Sequence, residues 1–159
     1  MPQQNTANWY NGLKILFIAL LAGQVLVCGM VYFVAQPAGN PNFAASDLFK
    51  YAPILVLLLD AAGFFLGKNR TAAAAQIADV PQKFAAYRAA QVIKYGLTEG
   101  ATMVAVILYF ASGDLKMLAL AIVNIGVFAT YFPTKAKIIN DLQLSSQEQA
   151  LLDDPNFRG

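Results

Sequence analysis

Four apolar runs separated by short polar breaks dominate this chain and leave it few ways to fold. They are Leu13–Val34, Tyr51–Gly67, Tyr95–Ala111 and Leu115–Phe132. The first is broken only by Lys14 and Gln24. At about 1.5 Å of rise per helical residue, a run of that length reaches across a bilayer core of about 30 Å. Inside lipid every backbone N–H and C=O needs a partner in the protein, and apolar runs of this kind meet that demand as helices. Composition agrees. Of the 159 residues 58% are hydrophobic and 13% charged, against about 25% charged in soluble domains. The expected fold is all-α: a four-helix transmembrane bundle over residues 1–133, made of two antiparallel hairpins, followed by a cytoplasmic amphipathic tail over 134–159.

The breaks between the runs set the connections. Met1–Asn11 lacks the basic start and small-residue cleavage site of a signal peptide, and Trp9-Tyr10 reads as an interfacial anchor. Residues 36–42 carry two prolines and Gly39, and form a loop. Ser46 or Asp47 caps the second helix, with Pro53 expected in its first turn, where a missing N–H costs little. Lys68–Tyr95 is rich in Ala, Gln and Lys, which favour helix. Helix two is therefore expected to continue through Ala72–Ala78, turn at Asp79-Val80-Pro81, and return as helix three from Gln82. Both would extend into the cytoplasm. Ser112-Gly113-Asp114 is short enough to force an antiparallel hairpin. Pro133 stops the fourth span. Ile138, Ile139, Leu142 and Leu144 suggest an amphipathic helix, and Ser145-Ser-Gln-Glu148 has the form of a capping box before a last helix through Leu152.

Charge gives the orientation. Lys14, Lys68, Arg70, Lys83, Arg88, Lys94, Lys135, Lys137 and Arg158 fall on one expected side, and only Lys50 and Lys116 on the other. Basic residues mark the cytoplasmic side, so both termini are expected there. The same cluster would attract anionic lipid headgroups.

The two hairpins also resemble each other. Aligning Gly23 with Gly100 brings Leu20 to Leu97, Val27 to Val104, Tyr32 to Tyr109 and Phe33 to Phe110. Aligning Gly63 with Gly126 brings Phe65 to Phe128. A parallel duplication would pack the hairpins about a pseudo-twofold axis; chance matches between apolar runs give the same pattern.

Several enzyme classes are excluded. The chain has no histidine and one cysteine, which removes triads that need a histidine base and leaves too few soft ligands for structural zinc. Cys28 reads as a small buried hydrophobe. No phosphate loop, dinucleotide fingerprint or metal-ligand spacing appears. No catalytic residues, cofactor, metal or nucleic-acid partner are expected.

Polar residues inside the spans are the remaining candidates. Gly63-x-x-x-Gly67 and Gly96-x-x-x-Gly100 have the spacing that lets helix backbones approach closely. Asp60 shares the first small-residue face and Glu99 the second. Asp60 lies roughly 12 Å from Lys68 along a helix, and Glu99 roughly 7.5 Å from Lys94. Gln24 and Asn124 fall at mid-depth on helices one and four, and Thr98 and Thr102 flank Glu99. An intramembrane carboxylate costs several kcal/mol unless it is paired or protonated. Glu99 and Asp60 sharing one proton, or a cation held by Glu99, Asp60, Asn124 and Gln24, would suit transport. Neutral carboxyls hydrogen-bonded to the amides would instead join the helices, and Glu99 can also reach Lys94 or Lys14.

Two resemblances follow. Glu99-Gly100, with Phe132-Pro-Thr-Lys-Ala-Lys-Ile-Ile-Asn-Asp-Leu-Gln-Leu144, resembles a family of uncharacterised small four-helix bacterial membrane proteins, in which a Pro-Thr-x-x-Lys-Ile exit segment follows the last span. That likeness implies a multi-pass protein of the bacterial inner membrane and no established activity. In length, hairpin layout and membrane carboxylate the chain is also similar to the four-helix proteolipid subunit of V-type rotary ATPases. It departs there in two ways: Glu99 is on the third span rather than the second or fourth, and dense glycine repeats are missing. The expected function is non-enzymatic. The chain would self-associate or serve a larger membrane complex within the lipid bilayer, with proton or cation handling at Glu99 and Asp60 as the alternative.

Overall fold

A computed structural model describes residues 6–35, 39, 42 and 47–153. Their regular structure is wholly helical: α1 (Thr6–Phe33), α2 (Asp47–Ala75), α3 (Val80–Ser112), α4 (Leu115–Ala129), α5 (Lys135–Leu142) and α6 (Ser146–Asp153). Three helices, α1, α2 and α3, are long and apolar enough to cross a membrane. Only 17% of the apolar window of α1 and 22% of that of α2 is buried inside the protein. Ile15, Leu26 and Met30 on α1, and Ile54, Leu57 and Leu58 on α2, are exposed. Uncovered apolar surface of this extent suits helices placed in a membrane.

The fourth apolar run behaves differently from the expected span of 115–132. α4 has 15 residues, roughly 22 Å of helix, where a spanning helix needs about 20 residues. The helix closes early because Pro133 disfavours helical backbone at Phe132. Thr130 then caps the end, its N–H bonding to Val127 O and its hydroxyl donating to the same carbonyl at 2.7 Å.

The other helix ends follow from local chemistry. α2 starts at Asp47, so Pro53 is its seventh residue rather than part of its first turn. The helix therefore absorbs one missing N–H in its interior. α2 ends at Ala75, three residues short of the expected Ala78, and α3 begins at Val80. Asp79 explains the shift. Its carboxylate accepts from Gln82 N at 3.1 Å, and its carbonyl from Lys83 N at 2.9 Å. Pro81 thus lies in the first turn of α3, where proline is tolerated, and starts a helix rather than breaking one. Between α3 and α4, Gly113 adopts φ +71°, and Asp114 caps α4 by accepting from Lys116 N at 2.9 Å. Thr134 caps α5 by accepting from Lys137 N at 3.2 Å. Both halves of the expected capping box form at α6: Ser145 N donates to Glu148 Oε2 at 2.8 Å, and Glu148 N to Ser145 Oγ at 3.3 Å. Ser46 falls outside the described residues, as do Gln36–Ala38, Asp154–Pro155 and Arg158.

The chain forms two compact units. The first contains the start of α1 through Ile18, Phe64–Lys94, and the chain from Phe132 onward. The tail expected as a separate segment from 134 therefore belongs to the same unit as parts of α1, α2 and α3. Its centre is aromatic. Trp9 packs on Phe84 and Tyr87, with ring centroids 5.2 and 6.4 Å apart. Phe17 meets Phe132 edge-on at 5.4 Å. Ile138 and Leu142 of α5 are fully buried, while Ile139 is only partly so.

The second unit contains Ala19–Gly63 and Tyr95–Tyr131. Cys28, Val56, Ala101, Ala105, Met117 and Ala121 are among its core residues. The alanines on α3 and α4 are small enough for close backbone approach, and Cys28 packs there as an apolar side chain. The positions aligned as a repeat share environments only in part: Phe33 and Phe110 are both exposed, and Leu20 and Leu97 both partly buried. Tyr109 is buried while Tyr32 is exposed, and Phe128 is buried while Phe65 is exposed.

Candidate functional site

The polar side chains of the second unit are its least expected content. Gln24 on α1 is completely buried, and neither amide atom has a hydrogen-bond partner. Asn124 on α4 is also buried, with Nδ2 unpartnered. Asp60 on α2 is partly buried, and its Oδ1 is buried without a partner. Buried polar atoms are nearly always paired, so this concentration in one unit calls for an explanation.

Asp60 and Asn124 are brought together, since the Asn124 side chain is the polar neighbour of the Asp60 carboxyl. The contact joins α2 to α4, and Asp60 Oδ1 and Asn124 Nδ2 still lack a bond of good geometry. Tyr131 is a second polar neighbour of Asp60. The Tyr131 carbonyl accepts from Tyr95 OH at 3.3 Å. Tyr95 is itself fully buried against Phe128, with ring centroids 5.6 Å apart. Tyr131 and Tyr95 are absent from the expected set. Tyr131 lies in the turn after the cap of α4, so helical spacing from Asn124 does not point to it. Tyr95, at the polar end of an apolar run, read only as a boundary.

Glu99 stands apart. It is partly buried on α3. Among the described residues no hydrogen bond joins it to Asp60, whose buried Oδ1 is without a partner. Thr98 and Thr102, the neighbours of Glu99 in sequence, are buried. Thr102 Oγ1 donates back to Thr98 O at 3.1 Å, a bond within the helix that commits its proton locally.

The two glycine pairs separate as well. Gly63 and Gly67 on α2 are buried. A Cβ on Gly67 would come within 2.9 Å of Lys94 Cβ, so the absent side chain makes room for α3. The Lys94 ammonium lies 5.7 Å from the Phe64 ring centroid, within range of a cation–π contact. Gly96 and Gly100 on α3 have nothing within 4 Å of an added Cβ. Gly96 is exposed and Gly100 partly so, and the exposed Val92 and Ile107 continue the same stripe. Among the described residues, no side chain packs where a Cβ of this pair would lie.

No family model matches the chain, and no curated protein or solved structure is significantly similar to it. The functional reading rests on geometry and chemistry.

Proposed function

We propose that this chain is a multi-pass integral membrane protein with a non-catalytic role, associating with copies of itself or with a larger membrane complex. The observation that carries this reading is the open Gly96–Gly100 face of α3. Small residues at this spacing on an apolar helix allow another helix to approach closely, and no part of the described chain fills the space. Gly100→Leu tests it, because a Cβ at this position meets nothing within 4 Å among the described residues. Native mass spectrometry in mild detergent should show a defined assembly for the wild type and its loss in the variant. An assembly unchanged by Gly100→Leu would refute the reading.

The proposed setting is the bacterial inner membrane, with both termini cytoplasmic. Eight described basic residues fall in the first unit, whereas the second has only Lys50 and Lys116. That asymmetry supports a cytoplasmic first unit. An even number of crossings then requires α4 to serve as a short fourth span.

The Asp60–Asn124 contact favours a second reading, a proton- or cation-handling subunit. Its unpartnered oxygen and amide, with the unpartnered Gln24 amide in the same unit, are groups that bind water, protons or small cations. Asp60→Asn in proteoliposomes tests it. Loss of a pH- or ion-driven flux with the fold intact supports this reading, and an unchanged flux rejects it.

A further inference from the structure

Four polar side chains of the second unit, one from each apolar run, fall at one level. Asp60 on α2 and Asn124 on α4 are neighbours. In the α3–α4 hairpin, Tyr95 lies against Phe128 towards one end, and Ser112 and Leu115 flank the turn at the other. Asn124 therefore stands opposite the part of α3 that holds Thr102, which is fully buried. On α1, Phe17 meets Phe132, and Cys28 packs in one cluster with Met117 and Leu118. This helix thus runs antiparallel to α4, and Gln24 comes to the level of Asn124. Val25, Leu26 and Val27 are exposed while Gln24 is 0% exposed, so its amide is directed inward, into the same layer. Neither amide atom of Gln24 has a hydrogen-bond partner, and Asp60 Oδ1 has none. Thr102 donates its proton to Thr98 O and keeps its lone pairs.

We propose that this layer binds one alkali-metal cation through Asp60 Oδ1, Gln24 Oε1 and Thr102 Oγ1, with Asn124 positioning the carboxylate. The assignment rests on the proton- or cation-handling reading and names its ligand. Charge selects the class of ion. One carboxylate balances one positive charge, and a divalent ion would leave a buried charge uncompensated. Calcium takes about 6–8 oxygen ligands, several of them acidic, and the described residues hold no group of three His, Cys, Asp or Glu that could supply them. Glu99 lies on the flank of the buried Thr98–Ala101–Thr102 stripe and is partly exposed. A proton carried on Asp60 Oδ1 would need an acceptor within hydrogen-bond reach, and that atom has no partner. Water would satisfy the Gln24 amide but leave the carboxylate charge in an apolar layer. A monovalent cation answers the carboxylate, the amide oxygen and the hydroxyl together.

The full chain in mild detergent is unfolded thermally in sodium, potassium, lithium, calcium or N-methylglucamine chloride at one ionic strength. At ten times its Kd, the preferred alkali cation should raise Tm by about 4 °C over N-methylglucamine. Asp60→Asn and Gln24→Leu should each lose this difference while helicity by circular dichroism stays unchanged. Thr102→Val removes one hydroxyl at nearly constant volume and should weaken binding about tenfold. Glu99→Gln should keep the full response. Asn124→Asp adds a second carboxylate to the layer and should move the preference to calcium. The same Tm in every salt, a difference that persists in Asp60→Asn, or a wild-type preference for calcium would each overturn the assignment. Flux in proteoliposomes separates the site from the broader reading. Cation binding without any flux would support the site and reject the handling role. A pH-driven flux in a chain whose Tm ignores every cation would overturn the site and keep the handling role.

Discussion

Lys83 on α3 and Glu148 on α6 meet at 2.5 Å with side chains only 9% and 17% exposed, 65 positions apart in the chain. The Lys83 ammonium and the Ser145 backbone hold the Glu148 carboxylate down to a pKa of about 2. An unfolded glutamate titrates near 4.3. The folded value is the lower one, so the contribution is fully present above the unfolded value and disappears as pH falls through about 2. The α6 contact should therefore survive at pH 4. Hydrogen exchange of the 146–153 amides across pH 2–6 checks this; loss of protection already at pH 4 would contradict it.

Removing one partner is a sharper test of the same contact. Glu148→Gln leaves a nearly buried ammonium without its counter-charge, which should cost roughly 2 kcal/mol. Limited proteolysis in detergent should then cut the tail faster than in the wild type. Lys83→Met, which removes the charge to be satisfied, should cost less.

Gly67 and Gly96 should respond in opposite ways. Gly67→Ala forces Lys94 Cβ, and hence the α3 backbone, to move, at about 1–3 kcal/mol. Gly96→Ala meets nothing within the described chain and should add up to about 1 kcal/mol to the dissociated chain through helix propensity. Thermal unfolding of both variants in one detergent gives the comparison.

Asn124→Leu removes the polar neighbour of Asp60, and should destabilise the second unit by about 1–3 kcal/mol. The double variant Asp60→Leu/Asn124→Leu leaves no such group and should recover most of the loss. A double-variant cycle read by thermal unfolding measures this coupling directly.

Much of the fold was legible because it depends on local chemistry. The apolar runs gave α1, α2 and α3, the Ser145–Glu148 spacing gave the capping box, and Ile138 and Leu142 gave the buried face of α5. Proline was the misleading signal. Pro81 read as a breaker because the Asp79 cap that makes it a helix start depends on geometry, and Pro53 read as a first-turn residue because α2 begins earlier than its apolar run. The candidate site was legible only in part. Asp60 and Asn124 stood out as polar groups in apolar runs, but their partnership depends on how α2 faces α4, which no single helix encodes. Gly96 and Gly67 sit in identical spacing motifs, and only tertiary packing separates a filled face from an open one. The Tyr32–Tyr109 and Phe65–Phe128 matches likewise align in sequence and diverge in burial.

The first unit is assembled from three distant stretches of chain, and this bears on the order in which it forms. Tyr10 bonds to the carbonyl of Pro133, 123 positions away, and Lys83 waits for Glu148. During synthesis the early parts of α1 and α3 emerge long before α5 and α6 exist. Until then the Trp9–Phe84–Tyr87 cluster lacks the tail that completes its unit, and the ammonium of Lys83 stays hydrated. Closure of this unit is a late, long-range event, so a chain interrupted before residue 148 would carry its membrane helices without a finished first unit, a natural substrate for quality-control proteolysis.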